Sequence, residues 1–177
     1  MKIIKLDVSW FDQIDEIMKE AFPIEERRSS EKQKALFQKD AYEMYGIIQE
    51  ERLLAFLAAW DVGDFVFGEH LATDASLRGS GIGKELLVAY MELKKKRIVF
   101  EVEHPDSTMA KRRIGFYERL GCTLYPDVPY VQPPFHEGMK PLPLHIMAKP
   151  AFVHREEMKA CIERLYEIVY EGFTQCM

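Results

Sequence analysis

Between Tyr42 and Thr73 the sequence carries three runs rich in aromatic and aliphatic residues: Tyr42 to Gln49, Leu53 to Trp60 and Phe65 to Thr73. Only Glu50-Glu51-Arg52 and Asp61-Val62-Gly63-Asp64 separate them. Links this short do not carry a chain back for parallel pairing, so three consecutive antiparallel strands are implied. The expected class is therefore α/β (α+β): a mixed, mostly antiparallel central sheet flanked by helices.

The flanking segments fit. Lys2 to Leu6 alternates polar and apolar residues as a short strand does, and Ser9 offers an N-cap for an amphipathic stretch through Ala21. A second helix, capped by Ser29 or Ser30, runs to about Lys39. After Gly83, Leu86, Leu87, Tyr90, Met91 and Leu93 recur at helical spacing, and Arg97 to Glu103 then reads as a strand. Asp106, Ser107 and Thr108 are caps for a helix that ends at Leu120, where Gly121 supplies a left-handed stop before a strand at Cys122 to Tyr125. Pro126 to Pro143 holds six of the nine prolines, which predicts a semi-rigid loop without regular structure. A strand at Leu144 to Lys149 follows. Met158, Ile162, Leu165, Ile168 and Val169 mark a last amphipathic helix from about His154 to Gly172. At 177 residues, with no internal repeat, a single domain over residues 1–177 is expected.

Charge and cysteine usage exclude several classes. A net charge of -5 opposes nucleic-acid binding, which draws on clustered Lys and Arg. The one dense basic run, Lys94-Lys95-Lys96-Arg97, ends a predicted helix and reads as a solvated helix end. Cys122, Cys161 and Cys176 are odd in number and form no CxxC pair, which supports neither disulfides nor a metal site and fits a reducing cytoplasm. No window reaches the roughly 18 apolar residues of a membrane span, and the N-terminus has no leader pattern.

Chemistry concentrates in Leu71-Ala72-Thr73-Asp74-Ala75-Ser76-Leu77-Arg78-Gly79-Ser80-Gly81-Ile82-Gly83-Lys84, which reads as a strand, a turn and a glycine-rich helix start. The first amides of a helix lack internal partners and point along the positive end of its dipole, and glycines let an anion approach. A dinucleotide fingerprint would follow an early parallel strand, and a Walker A motif would continue Gly-Lys with Ser or Thr where Glu85 stands. Neither fits.

Arg78, Gly81 and Gly83 satisfy the pattern Arg or Gln, two residues, Gly, one residue, Gly or Ala, and the chain resembles the GNAT acyltransferase superfamily. Gly115-Phe116-Tyr117-Glu118-Arg119-Leu120-Gly121 resembles that family's second motif, and the order of elements matches its fold. The resemblance implies direct acetyl transfer from acetyl-CoA, as co-substrate, to an amine. The diphosphate would lie on Arg78, Gly79, Ser80, Gly81, Ile82, Gly83 and Lys84, and the pantetheine arm along the backbone of Leu71, Ala72 and Thr73. Ala75 stands where the family often has Pro and Ala110 where it often has Asn, and the linker His104 to Ser107 is longer than usual.

In this resemblance Tyr117 matches the tyrosine that acts as general acid; the other reading is a helix aromatic packed beside Phe116. Glu101 and Glu103 alternate about Val102 and share one face of their strand. Glu101 is similar to the glutamate of the Glu-Val-Arg segment in ribosomal-protein alanine acetyltransferases, a base candidate; the alternative is a salt bridge to Arg112 or Arg113. Glu69 and His70 are weaker candidates. Tyr130, Gln132, Phe135 and His136 border an acceptor cleft or plug the sheet. The expected partner is an amine-bearing small molecule or peptide, with no nucleic acid and no membrane, and a homodimer is allowed. A CoA-binding or partner-binding module without turnover is the alternative function.

Overall fold

The structure, a computed structural model, describes residues 2–173; Cys176 lies outside the described residues. They fall into two compact units. One comprises the chain up to Asp61 with Gly68–Lys95 and Phe135–Glu137, the other Val62–Phe67, Lys96–Pro134 and the chain from Gly138 onward.

The first unit contains β1 (Ile4–Lys5), α1 (Phe11–Ala21), α2 (Ser30–Ala35), β2 (Tyr42–Gln49), β3 (Arg52–Asp61), most of β4 (Phe65–Thr73) and α3 (Ile82–Lys94). Its strands are ordered β1-β2-β3-β4. β2 and β3 pair antiparallel from Tyr42↔Trp60 to Gln49↔Arg52, with an irregularity at Ile47/Ile48. The link is tighter than the sequence suggests: Glu50 and Glu51 both adopt positive φ, as a primed two-residue hairpin requires, and Arg52 already belongs to β3. Gly46 allows close packing, because a Cβ there would lie 2.7 Å from Leu6 Cδ1 and 2.9 Å from the Ala55 carbonyl. β3 is buried from Leu53 to Trp60. Phe11, Ile14, Ile17 and Met18 of α1, and Ile82, Leu86, Leu87 and Tyr90 of α3, complete this core.

Two local expectations change. Asp7, not Ser9, opens the first helical segment: its carboxylate accepts from the Ser9 amide and caps a 3-10 turn, Val8–Trp10, that leads into α1. Lys94 is not a solvated helix end. Its ammonium lies 2.9 Å from Glu43 Oε1 and 2.6 Å from Asp61 Oδ2, and the Tyr90 hydroxyl donates to the same Glu43 oxygen at 2.7 Å. These contacts tie the end of α3 to β2 and β3. Lys95, with φ 53°, then ends the helix.

The second unit contains β5 (Arg97–Val102), α4 (Thr108–Arg119), β6 (Thr123–Tyr125), β7 (Val131–Gln132), β8 (Leu142–Pro143), β9 (His145–Lys149) and α5 (Arg155–Ile168). β5, β9 and β6 pair antiparallel in that order. β7 and β8 correct the expectation of an unstructured proline-rich loop: Val131 pairs with Pro143 and Gln132 with Leu142. A two-residue ladder tolerates proline at its end, where a missing N–H costs little. Ser107 caps α4 through the Ala110 amide, and Gly121 takes a left-handed φ of 89° just past its end.

Strand alternation sends Arg97, Val99 and Glu101 to one face of β5 and Ile98, Phe100 and Val102 to the other. Tyr117 of α4 stacks on Phe100, whereas Glu157 of α5 pairs with Arg97. Cys122 and Cys161 are buried and unbridged. Among the described residues, no helix is long and apolar enough to cross a membrane.

Candidate active site

After Thr73 the chain turns through a short 3-10 segment, Ala75–Leu77. The Asp74 carboxylate builds this turn: it accepts from the Ser76 amide at 3.0 Å and hydroxyl at 2.5 Å, and Arg52 Nη2 lies 2.8 Å away. The Ser76 bonds, then those from Arg52, hold its carboxyl down at about 2. These bonds fix the entry that a proline at position 75 would pre-set.

Gly79 and Gly81 both adopt left-handed backbone, with φ 82° and 89°. A Cβ at either would meet nothing within 4 Å, so glycine serves conformation there and leaves open space. Gly83 differs, because its Cβ would lie 3.1 Å from Thr73 Oγ1. The first helical bond of α3 runs from the Glu85 amide to the Gly81 carbonyl at 3.0 Å. The amides of Ile82, Gly83 and Lys84 therefore precede the helical ladder. That of Ile82 reaches Ser80 Oγ at 3.4 Å, and the amide of Ser80 turns inward to the Leu77 carbonyl at 3.1 Å. Gly79, Ser80, Gly81 and Lys84 are exposed, as is Arg78, whose Nη2 stands 3.9 Å from Glu20. Leu71 and Thr73 are half-buried on either side of buried Ala72. Helix-start amides on an open, glycine-lined turn fit a phosphate group.

The second unit carries the two predicted acid–base residues on opposite faces of β5. Tyr117 is 7% exposed, its ring stacked on Phe100 at 4.4 Å and edge-on to Phe116 at 5.2 Å. Burial pushes its hydroxyl up to about 12, partly offset by Arg113 and reinforced by Cys122. Glu101 projects from the other face, where the Tyr170 hydroxyl donates to its Oε1. Tyr130 is 3% exposed, and burial, followed by the negative charge of Glu101, raises its hydroxyl well above the usual range. Tyr166 stacks on Tyr130 at 5.4 Å and donates to the Val131 carbonyl at 2.8 Å. Glu103 lies past the end of β5, and Arg113 Nη1 stands 3.7 Å from it. The salt bridge weighed for Glu101 thus forms at its neighbour. Tyr170 was not legible as a site residue; the only hint is its place four residues after Tyr166 on the C-terminal amphipathic pattern.

Glu69 and His70 have other occupations. Arg28 Nη2 stands 2.8 Å from Glu69 Oε1, with side chains only 8% and 3% exposed, and Trp60 Nε1 donates to Glu69 Oε2 at 3.2 Å. Burial alone would raise the Glu69 carboxyl, but Arg28, then His70, with hydrogen bonds from Arg28 and Trp60, hold it below its ordinary value. His70 bonds through Nε2 to the Glu26 carbonyl at 2.8 Å and packs edge-on to Phe22. The four loop residues do not form one group. Phe135 covers the Arg28 guanidinium at 4.5 Å and His136 Nε2 lies 2.9 Å from the Arg27 carbonyl, both in the first unit, whereas Tyr130 and buried Gln132 belong to the second.

The profile of the Acetyltransferase (GNAT) family matches residues 11–122. Curated protein sequences give no match. Among solved structures, the chain is similar to a protein of Bacteroides thetaiotaomicron described as an acetyltransferase from the GNAT family. Identity is 32% and the TM-score 0.88, over 98% of this chain and 100% of that one. The ribosomal-protein-S18-alanine N-acetyltransferase of Escherichia coli is similar at 22% identity and TM-score 0.63, over 87% and 96% of the two chains. The PaiA N-acetyltransferase of Thermoplasma acidophilum, solved in complex with coenzyme A, gives 16% and 0.62, over 84% and 97%. At these identities the latter two speak to the fold alone.

Proposed function

Because the chain belongs to the acetyltransferase (GNAT) family, we propose that it moves an acetyl group from acetyl-CoA to an amine, with the cofactor diphosphate held at the start of α3. The observation that carries this reading is the set of amides at Ile82, Gly83 and Lys84, ahead of the helical ladder and behind two left-handed glycines. Arg78, Gly79, Ser80 and Gly81 form the rest of the cradle, and the backbone of Leu71, Ala72 and Thr73 takes the pantetheine arm as an added strand. Once bound, acetyl-CoA supplies the acyl group as an activated thioester.

Glu101 takes the proton that the amine nitrogen sheds as its bond to the acetyl carbon forms. Tyr117, kept protonated through neutral pH by burial, returns a proton to the sulfur as the carbon–sulfur bond breaks. We read residues 1–177 as one catalytic domain, supported by the unbroken family match from residue 11 to 122. We further read it as cytoplasmic, in keeping with its buried free thiols.

One observation favours the rival reading, a CoA-binding module without turnover: the Tyr117 ring is packed under Phe100 as a core aromatic is. Thiol release from acetyl-CoA decides between them. Three probe acceptors of different chemistry are a peptide with N-terminal alanine, spermidine and an aminoglycoside, amines named for structurally similar acetyltransferases. Acceptor-dependent thiol release supports transfer. Saturable acetyl-CoA binding with no release from any acceptor supports the module, and absence of binding defeats both.

A further inference from the structure

We infer that Tyr170, at the C-terminal end of the α5 segment, is a positioning residue for the Glu101 carboxylate. The inference rests on the reading of Glu101 as the base. A base on a sheet face must be aimed, and a carboxylate leaving water needs hydrogen-bond donors. Tyr170 is such a donor, its hydroxyl bonded to Glu101 Oε1.

Its own ring is fixed by an aromatic stack. Tyr170 packs edge-on to Tyr166 at 6.2 Å, Tyr166 lies parallel to Tyr130 at 5.4 Å, and Phe173 meets Tyr166 edge-on at 5.5 Å. The Tyr166 hydroxyl donates to the Val131 carbonyl of the proline-rich segment, and Tyr166 meets Tyr170 through its ring. α5 is itself anchored by buried Met158, Cys161 and Leu165, and by the Arg97–Glu157 pair. Apart from Arg97 and Glu101 on β5, these residues lie beyond the 11–122 family match.

Among the described residues, the groups facing Glu101 include the hydroxyls of Tyr170 and Tyr130, with Tyr166 behind them; Arg97 shares its face of β5, and Glu103 follows at the strand end beside Arg113. A hydroxyl aimed at a carboxylate favours its charged form. It does so less strongly than a buried guanidinium does. Tyr166 is the built-in control, because its hydroxyl serves a backbone carbonyl.

The test is a carbon-13 carboxyl titration of the full chain labelled at glutamate, with the Glu101 signal assigned by its loss in Glu101→Gln. Tyr170→Phe should move the Glu101 midpoint upward by about 1 pH unit, the scale of one hydrogen bond to a charged group. Tyr166→Phe should lower the melting temperature and leave that midpoint in place. With any probe amine that supports thiol release, Tyr170→Phe should cut kcat about 10-fold while KM for acetyl-CoA holds. An unmoved midpoint in Tyr170→Phe, or an equal shift in Tyr166→Phe, overturns the inference while a Glu101→Gln rate defect leaves the base reading intact. Full-speed turnover in Glu101→Gln instead defeats the base reading, and the positioning role falls with it whatever the titration gives.

Discussion

The start of α3 offers an incoming group backbone amides and open space, whereas the surroundings of Glu101 offer side-chain hydroxyls gathered from separate segments. In the first region glycines at 79 and 81 set the path, and side chains matter mainly by their absence. In the second, Tyr130 and Tyr170 meet a carboxylate on β5, and every contact depends on a particular side chain. Binding the invariant part of a cofactor needs geometry that a few consecutive residues supply. Handling a proton needs groups placed atom by atom, which consecutive residues on one strand do not provide. The two regions should therefore fail differently when altered.

The largest expected effect lies in the cradle. Gly81→Glu and Gly83→Glu should each abolish measurable acetyl-CoA binding by calorimetry, through a side chain and a negative charge placed at the helix start; Gly83→Glu also crowds Thr73. Full affinity in either folded variant would erase the distinction between the regions. Next comes Tyr117, the proposed acid. Tyr117→Phe keeps the ring on Phe100 and removes only the hydroxyl, so turnover should fall roughly 10²-fold to 10⁴-fold while cofactor affinity persists. A variant at full speed would leave Tyr117 as a packing residue.

A third effect contrasts Glu69 with Glu101. Arg28→Met should destabilise the fold by about 3–5 kcal/mol, because it strands a buried carboxylate. The folded chain holds the Glu69 carboxyl below its unfolded value, so its contribution to stability is complete above the ordinary carboxylate range near about 4.3 and is lost as pH falls through the folded value. In urea titrations, the stability gap between wild type and Glu69→Gln should narrow as the solution is acidified from neutral; a gap that widens contradicts the sign. The smallest effect is at Arg78. Arg78→Ala should weaken acetyl-CoA only a few-fold, about 1 kcal/mol or less for an exposed charge, and a loss larger than that of the glycine variants would shift the weight from backbone to side chain.

This contrast also marks what the sequence made legible. The spacing of Arg78, Gly81 and Gly83 is local, and a turn into a helix is written in neighbouring residues. β2 and β4 end where their apolar runs end, at Tyr42–Gln49 and Phe65–Thr73. The first cap falls at Asp7 because a 3-10 turn precedes α1, and the Asp7 carboxylate accepts from both the amide and the hydroxyl of Ser9, which takes up the Ser9 side chain. Lys94 read as a solvated end because its acidic partners, Glu43 and Asp61, lie on other strands. Tyr170 was invisible for the same reason: its bond to Glu101 spans 69 residues, and a tyrosine on an amphipathic helix carries no mark of which carboxylate it will meet.

If backbone amides at the start of α3 hold the cofactor as proposed, amide-resolved hydrogen exchange with and without acetyl-CoA will register it. Saturating acetyl-CoA should slow exchange at Ile82, Gly83 and Lys84 by about 10-fold or more. Exchange at these three amides that stays unchanged under saturating acetyl-CoA, with protection appearing elsewhere, would contradict it.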